Sequence, residues 1–300
     1  MAPLWAVRHG PAKGAREMQQ QTIGVVGAGV MGTGVAQNLA QCGYRVLLVD
    51  RTTEILRRAE GAIRQNMRFG RLLHKGQAQS GIADLMEQIL FTVDPGPLAE
   101  ADFVIENVSE QWEVKRDVHQ QLDALCPPHT VFAANTSAIS ITRIGAVTAR
   151  PARILGIHFM NPVPLKTTVE VIRGFHTSDE TIAVAQELLT GMHKQWVIVN
   201  DYPGFVSNRI SHLFMNEAAF VVQDQVASAQ DVDEIFKKCY GHAMGPLQTA
   251  DLIGLDTVVD TLQVLYQSYQ DPKFRCCPLL QKMVDAGLLG VKSGQGFYRY

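Results

Sequence analysis

A histidine and a glutamate twelve residues apart, His158 and Glu170, carry the side chains of this chain best suited to move a proton. His158 sits near the end of an apolar stretch, Ile154 to Phe159, just ahead of a turn-forming Asn161-Pro162, and Glu170 begins a second stretch, Val169 to Ile172. Adjacent strands would bring imidazole and carboxylate together. Such a pair keeps the ring in one tautomer and stabilises the imidazolium, as a base that takes a hydroxyl proton requires. The spacing by itself equally fits a hydrogen-bonded core histidine and a solvated edge carboxylate. Asn135-Thr136-Ser137 follows a third apolar stretch, Val131 to Ala134, so all these groups fall at strand ends. Open α/β sheets place their ligands at that edge.

A second constellation binds rather than reacts. Gly27-Ala28-Gly29-Val30-Met31-Gly32 lies between an apolar strand, Ile23 to Val26, and a helical pattern running to about Cys42. In that setting Gly27, Gly29 and Gly32 permit the tight turn, the backbone approach to a pyrophosphate and close helix packing, and the helix N-terminus holds the anion. Glycines alone mark only a strand-to-helix turn. Asp50, eighteen residues past Gly32 and at the end of the next strand, makes this a dinucleotide site. A carboxylate there accepts the ribose hydroxyls of NAD and repels the 2′-phosphate of NADP, although Arg51 beside it is a residue type that accepts that phosphate.

The elements that hold these groups follow from the periodicity. Strands at Ile23–Val26, Val46–Val49, near Phe91, Phe103–Ile105, Val131–Ala134, Ile154–Phe159, Val169–Ile172 and Trp196–Val199 alternate with helices from Thr53, Trp112 and Asp179, which predicts a parallel sheet. After Asn200 only helical patterns recur: Phe205 to about Val226, Val232 to Tyr240, Leu255 to Tyr269 and Pro278 to Ala286. The chain is therefore expected to comprise a poorly ordered extension (1–21), an α/β Rossmann-type dinucleotide-binding domain (22–200) and an all-α C-terminal domain (201–300).

Composition removes several classes of function. Lys plus Arg number 27 and Asp plus Glu 29, a formal charge of −2, which is no footprint for nucleic acid or an anionic membrane surface. Five cysteines, two of them adjacent, have neither disulfide-framework nor zinc spacing, so no metal site is expected. No stretch is apolar for long enough to be a signal h-region or a membrane span. These features predict a cytoplasmic protein.

At the level of motifs, the chain from Thr22 to Tyr300 resembles the L-3-hydroxyacyl-CoA dehydrogenase family, which includes the 3-hydroxybutyryl-CoA dehydrogenases. The residues that carry the resemblance are GAGVMGTGVAQ (27–37), VIENVSE (104–110) with Lys115, NTSAISI (135–141), GIHFMNPVP (156–164), EVIRG (170–174), PGFVSNR (203–209), MGPLQTADLIGLD (244–256) and VKSGQGFY (291–298). The resemblance implies NAD-dependent, reversible oxidation of a 3-hydroxyacyl thioester to the 3-oxoacyl thioester. His158 would be the base and Glu170 its orienting partner, with Ser137 and Asn208 on the substrate oxygen. It further implies that Glu110, Lys115, Ser137, Asn161 and Lys292 contact the nicotinamide side of NAD, and that the helical domain forms a homodimer.

The sequence departs from the family where the substrate is concerned. Asn107 stands where a small apolar residue is usual, Met160 where an aromatic is common, and Ser207 where an aliphatic precedes Asn208. On the helix from Thr53 the family holds the CoA nucleotide with a serine and a lysine, whereas this chain has Asn66, Arg68, Arg71 and Lys75. The motif wording also resembles a branch from polyketide and nonribosomal peptide pathways, where an acyl carrier protein bears the thioester, for example a glyceryl-type extender unit. Arg57, Arg58, Arg64, Arg68 and Arg71 would then face an acidic carrier protein rather than a CoA diphosphate, or simply face solvent. Two other readings compete: a sugar-acid dehydrogenase with a lysine acid-base group, and a non-catalytic NAD-binding redox sensor or crystallin-like protein.

Overall fold

The computed structural model describes residues 21–73 and 81–300; the expected N-terminal extension, apart from its last residue, and Lys75 lie outside them. The chain divides between Asn200 and Asp201 into two compact units. The first is built on eight strands: β1 (Thr22–Val26), β2 (Arg45–Val49), β3 (Ile89–Thr92), β4 (Phe103–Glu106), β5 (Val131–Ala134), β6 (Ile154–His158), β7 (Thr168–Arg173) and β8 (Gln195–Asn200). Their order in the sheet is β3-β2-β1-β4-β5-β6-β7-β8. The chain leaves β1 toward β2 on one side and returns to β4 on the other, so β1/β4 is the switch point at which such sheets open a ligand crevice.

The central strands read as unbroken apolar runs because both faces are covered. Ile23, Val25, Val46, Leu48, Phe103, Ile105, Ala133, Leu155 and Ile157 are all buried in one core. The helices of this unit are α1 (Val30–Gln41), α2 (Thr53–Leu73), α3 (Ile82–Glu87), α4 (Trp112–Leu125), α5 (Ile141–Gly145) and α6 (Asp179–Gly191). On α2 the buried Leu56, Ala59, Ile63 and Met67 fall on one face, and Arg57, Arg58 and Arg68 are exposed.

One expectation is corrected. The sheet is mixed, because β6 and β7 pair antiparallel while every other neighbouring pair is parallel. Residues 159–167 join the two strands, too short a link for the crossover of about a dozen or more residues that parallel neighbours need. In a parallel pair the end of β6 and the start of β7 would lie at opposite edges of the sheet. The reversal is what sets His158 directly opposite Glu170 in the ladder.

The second unit contains α7 (Ser207–Gln223), α8 (Ala229–Tyr240), α9 (Pro246–Ile253), α10 (Leu255–Tyr269) and α11 (Pro278–Asp285) around Met215, Ala219, Leu247, Val258, Leu262 and Leu280. Helix α9 was not expected. It is short, opens with Pro246 at its first position, and has its first amides, Leu247 and Gln248, bonded to the buried Asp233 carboxylate at 2.9 and 2.8 Å. Among the described residues no helix is long and apolar enough to cross a membrane.

Candidate active site

The glycine turn is built as a cradle. A Cβ on Gly27, whose φ is +93°, would lie 2.7 Å from the Asn107 carbonyl oxygen, and one on Gly32 would lie 1.8 Å from the Gly27 carbonyl oxygen, so neither position tolerates a side chain. Gly29 differs: a Cβ there would meet nothing within 4 Å. It caps α1, whose first turn carries no acidic residue, so open space faces the N-terminus of the helix. Asp50, just past β2, closes the turn by accepting hydrogen bonds from the amides of Ala28 and Arg51, each at 2.6 Å. A diphosphate with a ribose next to it fits this arrangement of open backbone, helix end and carboxylate.

On β6 and β7, to the β4 side of the switch point, lie His158 and Glu170. His158 Nδ1 is 2.9 Å from Glu170 Oε2, and both residues are more than nine-tenths buried. An ionised carboxylate only accepts, so the shared proton belongs on Nδ1 and leaves Nε2 as an acceptor. That nitrogen is 3.3 Å from Ser137 Oγ. The sheet thus places an imidazole between a carboxylate and a hydroxyl.

Ser137 is held by its loop. Glu110 Oε1 accepts hydrogen bonds from Thr136 Oγ1 and from the amides of Ser137 and Ala138 at 3.0 Å, fixing the turn after β5. Beneath it Lys115, on α4, is fully buried and donates to both oxygens of Glu106 at 2.8 and 3.0 Å and to the Asn135 carbonyl at 3.1 Å. Lys115, which the resemblance sets on the nicotinamide side of the cofactor, has its ammonium 3.7 Å from Glu110 Oε2. Burial pushes the Glu106 carboxyl up, but the hydrogen bond from His119 and the charge of Lys115 outweigh it and hold the group below its ordinary range.

Asn161 is exposed in the turn that follows β6. Asn208 and Lys292 belong to the second unit. Asn208 lies in the first turn of α7 and its carbonyl oxygen accepts a hydrogen bond from His212 Nδ1 at 3.0 Å. Lys292 bonds Asp256 at 2.8 and 3.0 Å and Thr257 Oγ1 at 2.9 Å, which lowers the Asp256 carboxyl against the upward push of its partial burial. Sequence reasoning overlooked Glu106 and His119. Their signals were a lone acid ending an apolar strand and a histidine four residues after Lys115, on the same face of α4. Among the described residues no group of three or more His, Cys, Asp or Glu stands where it can hold a metal ion.

A dinucleotide cradle at the switch point and an imidazole–carboxylate pair at the neighbouring strand ends define a nicotinamide-dependent dehydrogenase fold. The family model described as 3-hydroxyacyl-CoA dehydrogenase, NAD binding domain, matches residues 22–202, and that for the C-terminal domain of the same family matches residues 204–300. A probable 3-hydroxybutyryl-CoA dehydrogenase of Deinococcus radiodurans is 45% identical over 278 residues, covering 93% of this chain and 99% of the relative. The mitochondrial hydroxyacyl-coenzyme A dehydrogenase of Sus scrofa is 33% identical, covering 96% and 94%. The crystal structure of an (S)-3-hydroxybutyryl-CoA dehydrogenase from Ralstonia eutropha superposes with a TM-score of 0.90 at 38% identity, covering 94% and 99%. The chain belongs to the 3-hydroxyacyl-CoA dehydrogenase family and carries its NAD-binding domain.

Proposed function

We propose that this chain catalyses the reversible, NAD-dependent oxidation of a 3-hydroxyacyl thioester to the 3-oxoacyl thioester. The observation that carries the reading is the line Glu170–His158–Ser137, in which Nε2 is the ring nitrogen left to accept a proton. In the oxidation direction His158 Nε2 takes the proton of the 3-hydroxyl as the carbon–oxygen double bond forms. NAD supplies the acceptor for the hydride leaving the same carbon. Glu170 stabilises the resulting imidazolium, and Ser137 holds the substrate oxygen beside Nε2. The family resemblance adds Asn208 on that oxygen and Asn161, Glu110 and Lys292 on the cofactor. Lys115 serves by holding Glu106 and the Asn135 carbonyl in place.

CoA is the handle we assign to the thioester, since the relatives named above are CoA thioester dehydrogenases by description. The carrier-protein reading rests on the arginines of α2, and two of them are neutralised within the helix: Arg58 pairs with Glu54 at 2.9 Å and Arg64 with Glu60 at 2.8 Å. Asn66, at the family's nucleotide-binding region, bonds Gln37. The test is NADH oxidation with acetoacetyl-CoA, run beside the same acyl group on a phosphopantetheinyl carrier protein. Turnover with the CoA thioester and its loss by roughly 10²–10⁴-fold in His158→Ala, with NADH binding intact, is the expected result. Near-normal turnover in that variant overturns the mechanism, and preference for the carrier protein overturns the handle.

A further inference from the structure

Asn107, one of the residues that depart from the family pattern, has its side chain turned into the sheet edge. Its Oδ1 accepts a hydrogen bond from Asn135 Nδ2 at 2.8 Å, and its Nδ2 donates to the Ile105 carbonyl at 2.9 Å. Asn135 Oδ1 in turn accepts the backbone amide of Phe159 at 3.3 Å. The orientation of both amides is forced from the ends. The Phe159 N–H can only donate, so Asn135 must present its oxygen to it; the Asn135 NH₂ must then meet an acceptor, which makes the facing atom of Asn107 its oxygen. The remaining Asn107 NH₂ points at a carbonyl, as it must.

Two side chains therefore run as a bridge across the carboxyl ends of three strands. Asn107 follows β4, Asn135 follows β5 and Phe159 follows β6. Ser137 is two residues beyond one anchor of the bridge and His158 is next to the other, and the bond between them is 3.3 Å. The backbone of Asn107 also lies against the glycine turn: a Cβ on Gly27 would come within 2.7 Å of its carbonyl oxygen, and one on Gly32 within 3.3 Å of its Cβ. One residue thus touches the cofactor cradle with its backbone and ties the proton-transfer strands with its side chain.

We infer that Asn107 is a positioning residue, acting through Asn135 to hold Ser137 and His158 in register with the dinucleotide turn. This inference rests on the dehydrogenase reading of the same site. Alanine at 107 keeps the Cβ that packs on Gly32 and removes only the bridge. Asn135 then loses the acceptor for its Nδ2 and is free to turn from Phe159, so one of the ties that set the distance between Ser137 and His158 is lost.

The test uses the full chain with NADH and acetoacetyl-CoA in four variants: Asn107→Ala, Asn135→Ala, the double variant and His158→Ala. Asn107→Ala is expected to lower kcat roughly tenfold, the effect of losing a hydrogen bond that only aligns reacting groups. KM for both substrates and the melting temperature should stay near those of the unmodified chain. The double variant should be no slower than Asn135→Ala alone, because both substitutions cut one bridge. An unchanged kcat in Asn107→Ala, multiplicative losses in the double variant, or a loss that follows KM or melting temperature overturns the inference. His158→Ala separates the two claims: if it retains turnover the dehydrogenase reading fails, and if it is inactive while Asn107→Ala is unaffected only the positioning role fails.

Discussion

Replacing Glu170 by glutamine removes a charge and little else. The carboxylate faces His158 Nδ1 at 2.9 Å in a site more than nine-tenths buried, and the amide has the same shape. When the ring gains a proton during oxidation, the two charge centres stand about 4 Å apart, and at an effective dielectric constant of about 20 their attraction is about 4 kcal/mol. At about 1.4 kcal/mol per tenfold this bounds the loss at about a thousandfold. The amide oxygen still accepts the Nδ1–H bond and returns about 1 kcal/mol of it. The expected loss in kcat is therefore about a hundredfold, with KM for NAD and for the thioester little changed, since the charge develops only along the reaction.

Steady-state NADH absorbance in both directions is the assay. Turnover within about threefold of the unmodified chain would refute the electrostatic argument, because the interaction worked above supplies far more than that.

Asp50→Ala should relax a preference for NAD over NADP, measured as the ratio of kcat/KM values for the two cofactors; equal use of both by the unmodified chain would point to Arg51 as a phosphate partner instead. The Glu106 carboxyl is held below its ordinary value of 4.5, so it adds stability that is complete above that value and is lost as the pH falls through the depressed one. Urea unfolding should show Lys115→Met to be destabilised by roughly 3–5 kcal/mol at neutral pH, with a deficit that shrinks toward acid pH as the stranded carboxylate takes a proton. The helical unit exposes Ile210, Val226, Ile235 and Leu252, and light scattering is expected to report a dimer; a strict monomer at micromolar concentration would remove the homodimer from the reading.

The parts of the site set by local covalent chemistry were legible in the sequence. Gly27 and Gly32 are glycine because backbone oxygens occupy the space a Cβ would take, and that requirement shows as a motif. Asp50 and the His158/Glu170 spacing were legible from short apolar runs: Asp50 follows β2, His158 ends β6 and Glu170 lies near the start of β7. Helix α3 and helix α9 were not, being six and eight residues long and too short for a periodicity to stand out. The direction of β7 was also hidden, because alternation of strands and helices fixes a parallel sheet only while each link is long enough to cross over.

What no residue pattern conveys is which polar groups face one another across strands that are distant in sequence. Lys115 and Glu110 look alike in a motif, yet one is fully buried on Glu106 and the other caps the Ser137 loop. Asn107 looks like a substrate-facing departure, yet its side chain is spent on Asn135 and Ile105. The antiparallel turn explains why these details matter to the chemistry. By setting His158 opposite Glu170, it fixes Nδ1 on the carboxylate and commits Nε2 to the edge where β5 ends. The position of Ser137 then depends on the loop after β5, and that loop is held by Glu110, Lys115 and the asparagine bridge rather than by the strand ladder. On the proposed mechanism, substitutions in the β6–β7 pairing should act on the charge that develops in the reaction, and those among Glu110, Lys115 and the two asparagines on geometry.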